Sequence, residues 1–277
     1  MNEESLELRE TVGISPCTWA DAYLERIGAA RPARSDAAAL RELQLRHLMT
    51  VPFENLAIHD GEDIVLENER LIEKIVTDRR GGFCYELNGA FAALLSALGF
   101  RVTLLQARIF GDGGRLGIPY DHMALRVETD DDTGPWLADV GFGDHAVQPL
   151  ALDERTEQED PIGVFRFRPA PHGDLDLLRG GSRQFRLDLR PRALADFRAG
   201  CWYHRTSPDS YFRRSLVCSR RTGSGRVTLS GRTLITTVQG ERHETELDTD
   251  AEVLAAYEDH FGLRLTVLPE VRRNPNL

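Results

Sequence analysis

Gly99 divides this chain into two patterns. Before it, apolar residues recur every three or four positions, the period of a helix packed on one face. After it they fall in short runs rich in Val, Leu and aromatics, parted by Gly, Pro and Asp, as in strands joined by turns. The clearest helix is 85–98, where Leu87, Phe91, Leu94, Leu95 and Leu98 share one face and Gly99 is a natural stop. Helices are also predicted over 17–27, 36–49 and 66–76, with Pro52 leaving 51–56 irregular. Strands are predicted over 101–110, 123–128, 136–140, 165–169, 184–189, 211–219, 226–239 and 263–268. A short helix over 191–199 should end at Gly200, and one over 252–261 at Gly262. Residues 1–14 and the tail around Pro275 read as loose polar ends. The order is helices, then a barrel or curled antiparallel sheet, then a mixed end, with no internal repeat.

Composition narrows the function classes. With 41% hydrophobic and 28% charged residues in 277, the chain can bury a sizeable core. The formal net charge of -10, with arginines scattered among more numerous acids, excludes a basic stripe for nucleic acid. No run of about 18 apolar residues predicts a membrane span, and the acidic start argues against a secretory signal. Cys17, Cys84, Cys201 and Cys218 form no CxxC pair and no zinc pattern, and no two histidines stand at zinc-helix spacing. The reading is a cytoplasmic protein with free thiols and no metal.

One cysteine stands apart. Arg80-Gly81-Gly82-Phe83-Cys84 is a glycine turn entering a helix. A sulfur at that position lies near unpaired N–H groups and the positive end of the helix dipole, which favours thiolate. The alternative is a buried helix-start cysteine without chemistry. A nucleophilic thiol needs a base, and the base an orienting group. His122 opens a predicted strand and Asp139 ends another. An Asp inside an apolar strand is costly unless paired, and a histidine Nδ1–H is one natural partner. A strand-end cap is the other reading of Asp139, and a half-exposed edge position the other reading of His122. His145 follows a glycine loop and competes for the same cleft, while His47 reads as solvated. His59, His172, His204, His243 and His260 have no local partner pattern.

RGGFCYELNGAF, with VPFENLAIHDG before it and DHMAL and LADVGFG after it, resembles the arylamine N-acetyltransferase family. YLERIG near the start and SPDSYF near residue 210 are similar to it as well, so the likeness runs from about residue 20 to 235. The resemblance implies an α+β multi-domain fold with a cysteine-protease-like Cys-His-Asp core. Its expected parts are a helical bundle over 1–100 carrying the nucleophile, an antiparallel β-barrel over 101–203 carrying His and Asp, and an α/β lid over 204–277. It implies a triad of Cys84, His122 and Asp139. It also implies ping-pong transfer of an acetyl group from acetyl-CoA, through an acetyl-cysteine, to an arylamine or arylhydrazine. Glu54 and Arg80 are expected as a buried ion pair fixing the loop of Cys84. Phe53, Tyr85, Phe142 and Phe212 are expected to line an acceptor pocket. Gly141 and Gly143 should let backbone approach the CoA, and backbone amides near Cys84 should hold the oxyanion. An amide synthase that releases and cyclises a carrier-bound polyketide, a cysteine hydrolase, and a non-catalytic binding module are the other readings. Asp121, beside His122, either points into the cleft or faces solvent; 111–119 reads as a mobile glycine-rich rim.

Overall fold

The computed structural model of the chain describes residues 16–272, so the readings of 1–14 and of the tail around Pro275 lie outside the described residues. Its helices are α1 (Pro16–Ile27), α2 (Ala37–Thr50), α3 (Leu56–Asp60), α4 (Asn68–Ile72), α5 (Cys84–Ala97), α6 (Arg198–Thr206) and α7 (Asp250–Phe261). The expected helix over 66–76 is two pieces, α4 running into a π-helical turn, Glu73–Thr77. Asp36 caps α2 by accepting from the Ala39 amide at 2.9 Å. The strands begin with β1 (Phe53–Glu54), inside the stretch read as irregular.

Eight further strands form one antiparallel sheet: β2 (Arg101–Ile109), β3 (His122–Glu128), β4 (Trp136–Ala138), β5 (Leu150–Ala151), β6 (Gln158–Asp160), β7 (Gly163–Pro169), β8 (Leu175–Arg179) and β9 (Ser182–Arg192). Their order is β5-β4-β3-β2-β9-β8-β7-β6. The two edges meet through one side chain: Gln158 accepts from the Ala151 amide at 2.7 Å and donates to its carbonyl at 3.0 Å. That join nearly closes the sheet into a barrel and leaves little free edge. Leu105, Ala107, Ala124, Phe165, Phe167, Leu177, Phe185 and Leu187 fill the interior.

A second sheet has the order β1-β10-β11-β12-β13, adding β10 (Val217–Thr222), β11 (Gly225–Ser230), β12 (Thr233–Val238) and β13 (Glu241–Glu246). It takes its edge strand from the N-terminal third of the chain, and α7 packs on it through Val253, Tyr257 and Phe261. On β3 the pleat alternates cleanly. Met123, Leu125 and Val127 enter the helical core, and Ala124 enters the barrel.

Four expectations are corrected. Gly200 lies inside α6 rather than ending a helix. A Cβ there would come within 2.5 Å of the Tyr120 carbonyl oxygen, so the glycine lets α6 approach the barrel rather than stop. Residues 211–213 form a 3-10 turn, and β10 begins only at Val217. The run 226–239 is a hairpin of two strands, β11 and β12. Residues 263–268 have no strand; Leu263, Leu265 and Leu268 pack as irregular chain on the apolar cluster between the second sheet and α7.

His47 was read as solvated and is fully buried, its Nε2 hydrogen-bonded to the Tyr23 hydroxyl at 3.0 Å. Its helix neighbours are basic, but its own face is the inner one. Burial, with Arg26 adding, pushes its imidazole down to about 3. A histidine held neutral in this way stabilises the fold fully above its unfolded value of about 6.5, and that stability is lost as pH falls toward 3. His47→Gln, which keeps an acceptor for Tyr23 and cannot titrate, should therefore lose about 3 kcal/mol less stability between pH 7 and pH 4 than the parent. Urea unfolding at the two pH values checks this; equal losses would assign the acid sensitivity elsewhere.

Candidate active site

Cys84 is the first residue of α5, His122 the first of β3, and Asp139 follows the last residue of β4. All three are buried. His122 Nε2 and Asp139 Oδ2 are 2.6 Å apart, a short charge-assisted contact. The nitrogen facing Asp139 is thus Nε2, where Nδ1 was expected, and Nδ1 is the one left for a proton shuttle. The other Asp139 oxygen accepts from Asn88 Nδ2 and from the Gly141 amide, each at 2.9 Å. Burial alone would raise this carboxyl; His122, with His145 and Asn88 assisting, outweighs it and holds it below the ordinary carboxylate range.

Asn88 was missed in the sequence and ties the pieces together. It stands four residues after Cys84, one turn along the same helix. Its amide donates to Asp139 and to the Met123 carbonyl at 2.7 Å, and its oxygen accepts from Val140 at 2.9 Å. Gln44 of α2 holds the backbone of Asp139, accepting from its amide at 3.3 Å and donating to the Val147 carbonyl at 3.1 Å. The signal for both was available: a fully buried amide on an otherwise apolar helix face must find partners.

Gly141 closes the site against Cys84. A Cβ on it would lie 2.7 Å from Cys84 Cα and 2.8 Å from Asn88 Nδ2, so no other residue fits without displacing backbone. The Cys84 thiol is pushed well above its ordinary value by burial, and Asp139, Asp121 and Cys201 push the same way; a backbone hydrogen bond from Met123 opposes them. The expected lowering by the helix start is therefore outweighed. These surroundings favour the neutral thiol over the thiolate.

Glu54 and Arg80 are 3.1 Å apart, Glu54 Oε2 also accepting from the Leu56 amide at 2.7 Å. Burial would raise Glu54, but Arg80, Lys74 and that amide hold it below its usual value. The Glu54 amide donates to the Gly82 carbonyl at 2.9 Å, so the pair sits directly under the loop before Cys84. Arg26, also missed, steadies the loop's approach by donating to the Ile75 and Arg79 carbonyls.

The four expected pocket aromatics separate into two kinds. Phe53 and Phe212 are half-buried, with ring centroids 6.0 Å apart, and Phe142 is half-buried with its ring 5.2 Å from His122. Tyr85 is fully buried and spends its hydroxyl on the Tyr120 carbonyl at 2.6 Å, so it supports the wall from behind. Gly143, at φ +94, lies with its Cβ direction toward Phe53. His145 is buried among Phe142, Phe165 and Phe185 and is pushed down to about 4 by burial, which keeps it neutral. Asp121 neither enters the cleft nor faces solvent: Oδ2 accepts from the Ile109 amide and Oδ1 pairs with His204. Residues 111–119 are tied back by Gly117, whose amide donates to Ile109 and whose carbonyl accepts from Arg108. Among the described residues no three His, Cys, Asp or Glu side chains gather as a metal site, and no helix is long and apolar enough to cross a membrane.

The arrangement suits nucleophilic acyl transfer: a buried thiol, an imidazole oriented by a carboxylate, and a short aromatic wall. Comparison with known proteins agrees. A family model described as N-acetyltransferase matches residues 36–270. The arylamine N-acetyltransferase of Escherichia coli strain K12 is 32% identical over 249 residues, 87% of each chain. That of Mycolicibacterium smegmatis is 33% identical over 253 residues, covering 88% of this chain and 91% of its own. The structure of Mycobacterium marinum arylamine N-acetyltransferase in complex with CoA superposes with a TM-score of 0.81 at 30% identity, over 88% of this chain and 93% of that one.

The ion pair under the loop gives a direct test of the architecture. Arg80→Met would strand the buried Glu54 carboxylate and should cost about 3–5 kcal/mol. Glu54→Gln with Arg80→Met should recover much of that loss. Denaturant unfolding of the single and double variants checks both expectations.

Proposed function

Since the chain belongs to the arylamine N-acetyltransferase family, we propose that it moves an acetyl group from acetyl-CoA to an arylamine or arylhydrazine through a Cys84 thioester. The observation that carries the residue assignment is the buried 2.6 Å contact of His122 Nε2 with Asp139, tied through Asn88 to the helix that Cys84 begins. In the first half-reaction His122 Nδ1 takes the Cys84 proton and the sulfur attacks the thioester carbonyl. The C–S bond to CoA breaks and CoA leaves with the proton held by His122. In the second, the amine nitrogen attacks the acetyl-cysteine, gives its proton to His122, and the Cys84 sulfur departs and is reprotonated. Asp139 stabilises the imidazolium that forms in each half.

Phe53, Phe142 and Phe212 supply the flat apolar surface an aromatic amine would use. Gly143 leaves room for the pantetheine arm, whereas Gly141 is packed on Cys84, and amides near Cys84 would receive the oxyanion. Three buried free thiols among the described residues suit a reducing, cytoplasmic setting, and the acidic charge balance gives no footing for nucleic acid.

Incubation with acetyl-CoA alone should release one CoA per chain and add one acetyl group to the peptide containing Cys84, read by mass spectrometry. Adding an arylamine should then give N-acetyl product and regenerate the thiol. Cys84→Ala should lose both steps, with a rate at least about a thousandfold lower. Transfer of the acetyl group to water at the same rate with or without amine would mark a hydrolase. Turnover of a carrier-bound thioester without CoA release would mark an amide synthase.

A further inference from the structure

The approach to β3 is restrained more than a strand entry requires. Tyr120 has φ +58, a left-handed conformation that is costly for an aromatic residue. Its amide donates to Gln106 Oε1 at 2.8 Å, and Gln106 donates to Asp188 at 3.0 Å. Its carbonyl takes the Tyr85 hydroxyl, and the Arg192 guanidinium lies 5.7 Å over its ring. Asp121 follows, with Oδ2 on the Ile109 amide at 3.2 Å and Oδ1 at 3.1 Å from His204 Nε2.

His204 is thus a second buried imidazole paired with a carboxylate, one residue removed from the first pair. Its Nδ1 lies 3.3 Å from the Ser210 hydroxyl, and its Nε2 also reaches the Asp121 carbonyl at 3.3 Å. Phe83, Tyr85, Tyr203 and Phe212 wall its ring. Side-chain exposures of 8% for His204 and 12% for Asp121 leave little solvent to screen the contact. Strand alternation turns Asp121 toward α5 and α6 and His122 toward Phe142 and Phe185, so the two carboxylates do not compete for one imidazole.

We propose that His204 is a positioning residue for acetyl transfer: paired with Asp121, it locks the strained Tyr120–Asp121 backbone and so sets where the His122 imidazole stands relative to Cys84. The proposal rests on the triad reading above. Asp139 fixes the rotation of the His122 ring; the Asp121–His204 pair fixes the backbone from which that ring is hung. Such a role touches the rate of acylation and leaves acetyl-CoA binding nearly alone, because both side chains are nearly buried and spent on each other, on Ser210 and on the Ile109 amide.

The test is steady-state and single-turnover CoA release by His204→Phe, His204→Gln, Asp121→Asn and the His204→Phe/Asp121→Asn double variant, with thermal melting of each. His204→Phe should lower kcat at least about tenfold with KM for acetyl-CoA changed less than about twofold, since small misplacements of a reacting group cost rate rather than binding. His204→Gln, whose amide can reach Asp121 in place of Nε2, should restore most of the rate. The double variant should be no slower than the slower single one. Should His204→Phe fail to fold, Asp121→Asn carries the same expectation. Wild-type kcat in His204→Phe, a loss confined to KM or melting temperature, failure of His204→Gln to recover rate, or additive losses in the double variant would each overturn the proposal. Cys84→Ala separates the two levels: if it still transfers acetyl, the triad reading fails whatever His204 does; if it is dead and His204→Phe is not slowed, only the positioning role fails.

Discussion

Asp139 is a carboxylate whose side chain has no exposure to water, and much of the surrounding structure meets the cost of keeping it charged. A buried anion left to itself would take up a proton. This one is met by His122 on one oxygen and by Asn88 and Gly141 on the other, so its acceptor sites are filled from a strand, a helix and a loop at once. Each contact constrains a different part of the chain. His122 brings the start of β3, Asn88 brings the helix that Cys84 begins, and Gly141 brings the turn after β4 onto the Cys84 backbone. Satisfying one desolvated carboxylate therefore assembles the three candidate reacting groups.

The same burial sets the chemistry of the thiol. Cys84 is driven toward its neutral form by its surroundings, including the charge of Asp139. A helix start alone does not overcome that. On the proposed assignment the thiol becomes a nucleophile when its proton moves to an imidazole that already has a carboxylate to stabilise the resulting cation. On that assignment ionisation belongs to Cys84, His122 and Asp139 together, and Asn88 and Gly141 matter because they tie Asp139 to the helix that Cys84 begins.

Much of this was legible in the chain. Helical period before Gly99 and short apolar runs after it located α1, α2, α5 and most barrel strands, because those elements are each packed on one face. Gly200 misled because a glycine in a helix can mark a close approach as well as an end, and only the position of the Tyr120 carbonyl decides which. Residues 263–268 carry a strand-like apolar run but bury it against the second sheet and α7 as irregular chain. Strand β13, ERHETE, is exposed along its length and has no apolar alternation to reveal it. Within the site, Cys84, His122 and Asp139 could be proposed from local chemistry and from a family likeness. Asn88 and Gln44 could be flagged as amides on apolar helix faces, but their partners, and the Asp121–His204 pair, could not be named, since those partners lie 35 to 95 positions away and only the fold brings them near.

The pH dependence of the CoA burst, in the parent and in Asp139→Asn, reaches the center of this account. A thiol activated by proton transfer to a carboxylate-held imidazole should release CoA well below about pH 8.5, the ordinary range of a free thiol, and Asp139→Asn should lose most of that release while staying folded. A parent burst that appears only above about pH 8.5, or one that Asp139→Asn leaves unchanged, would contradict it.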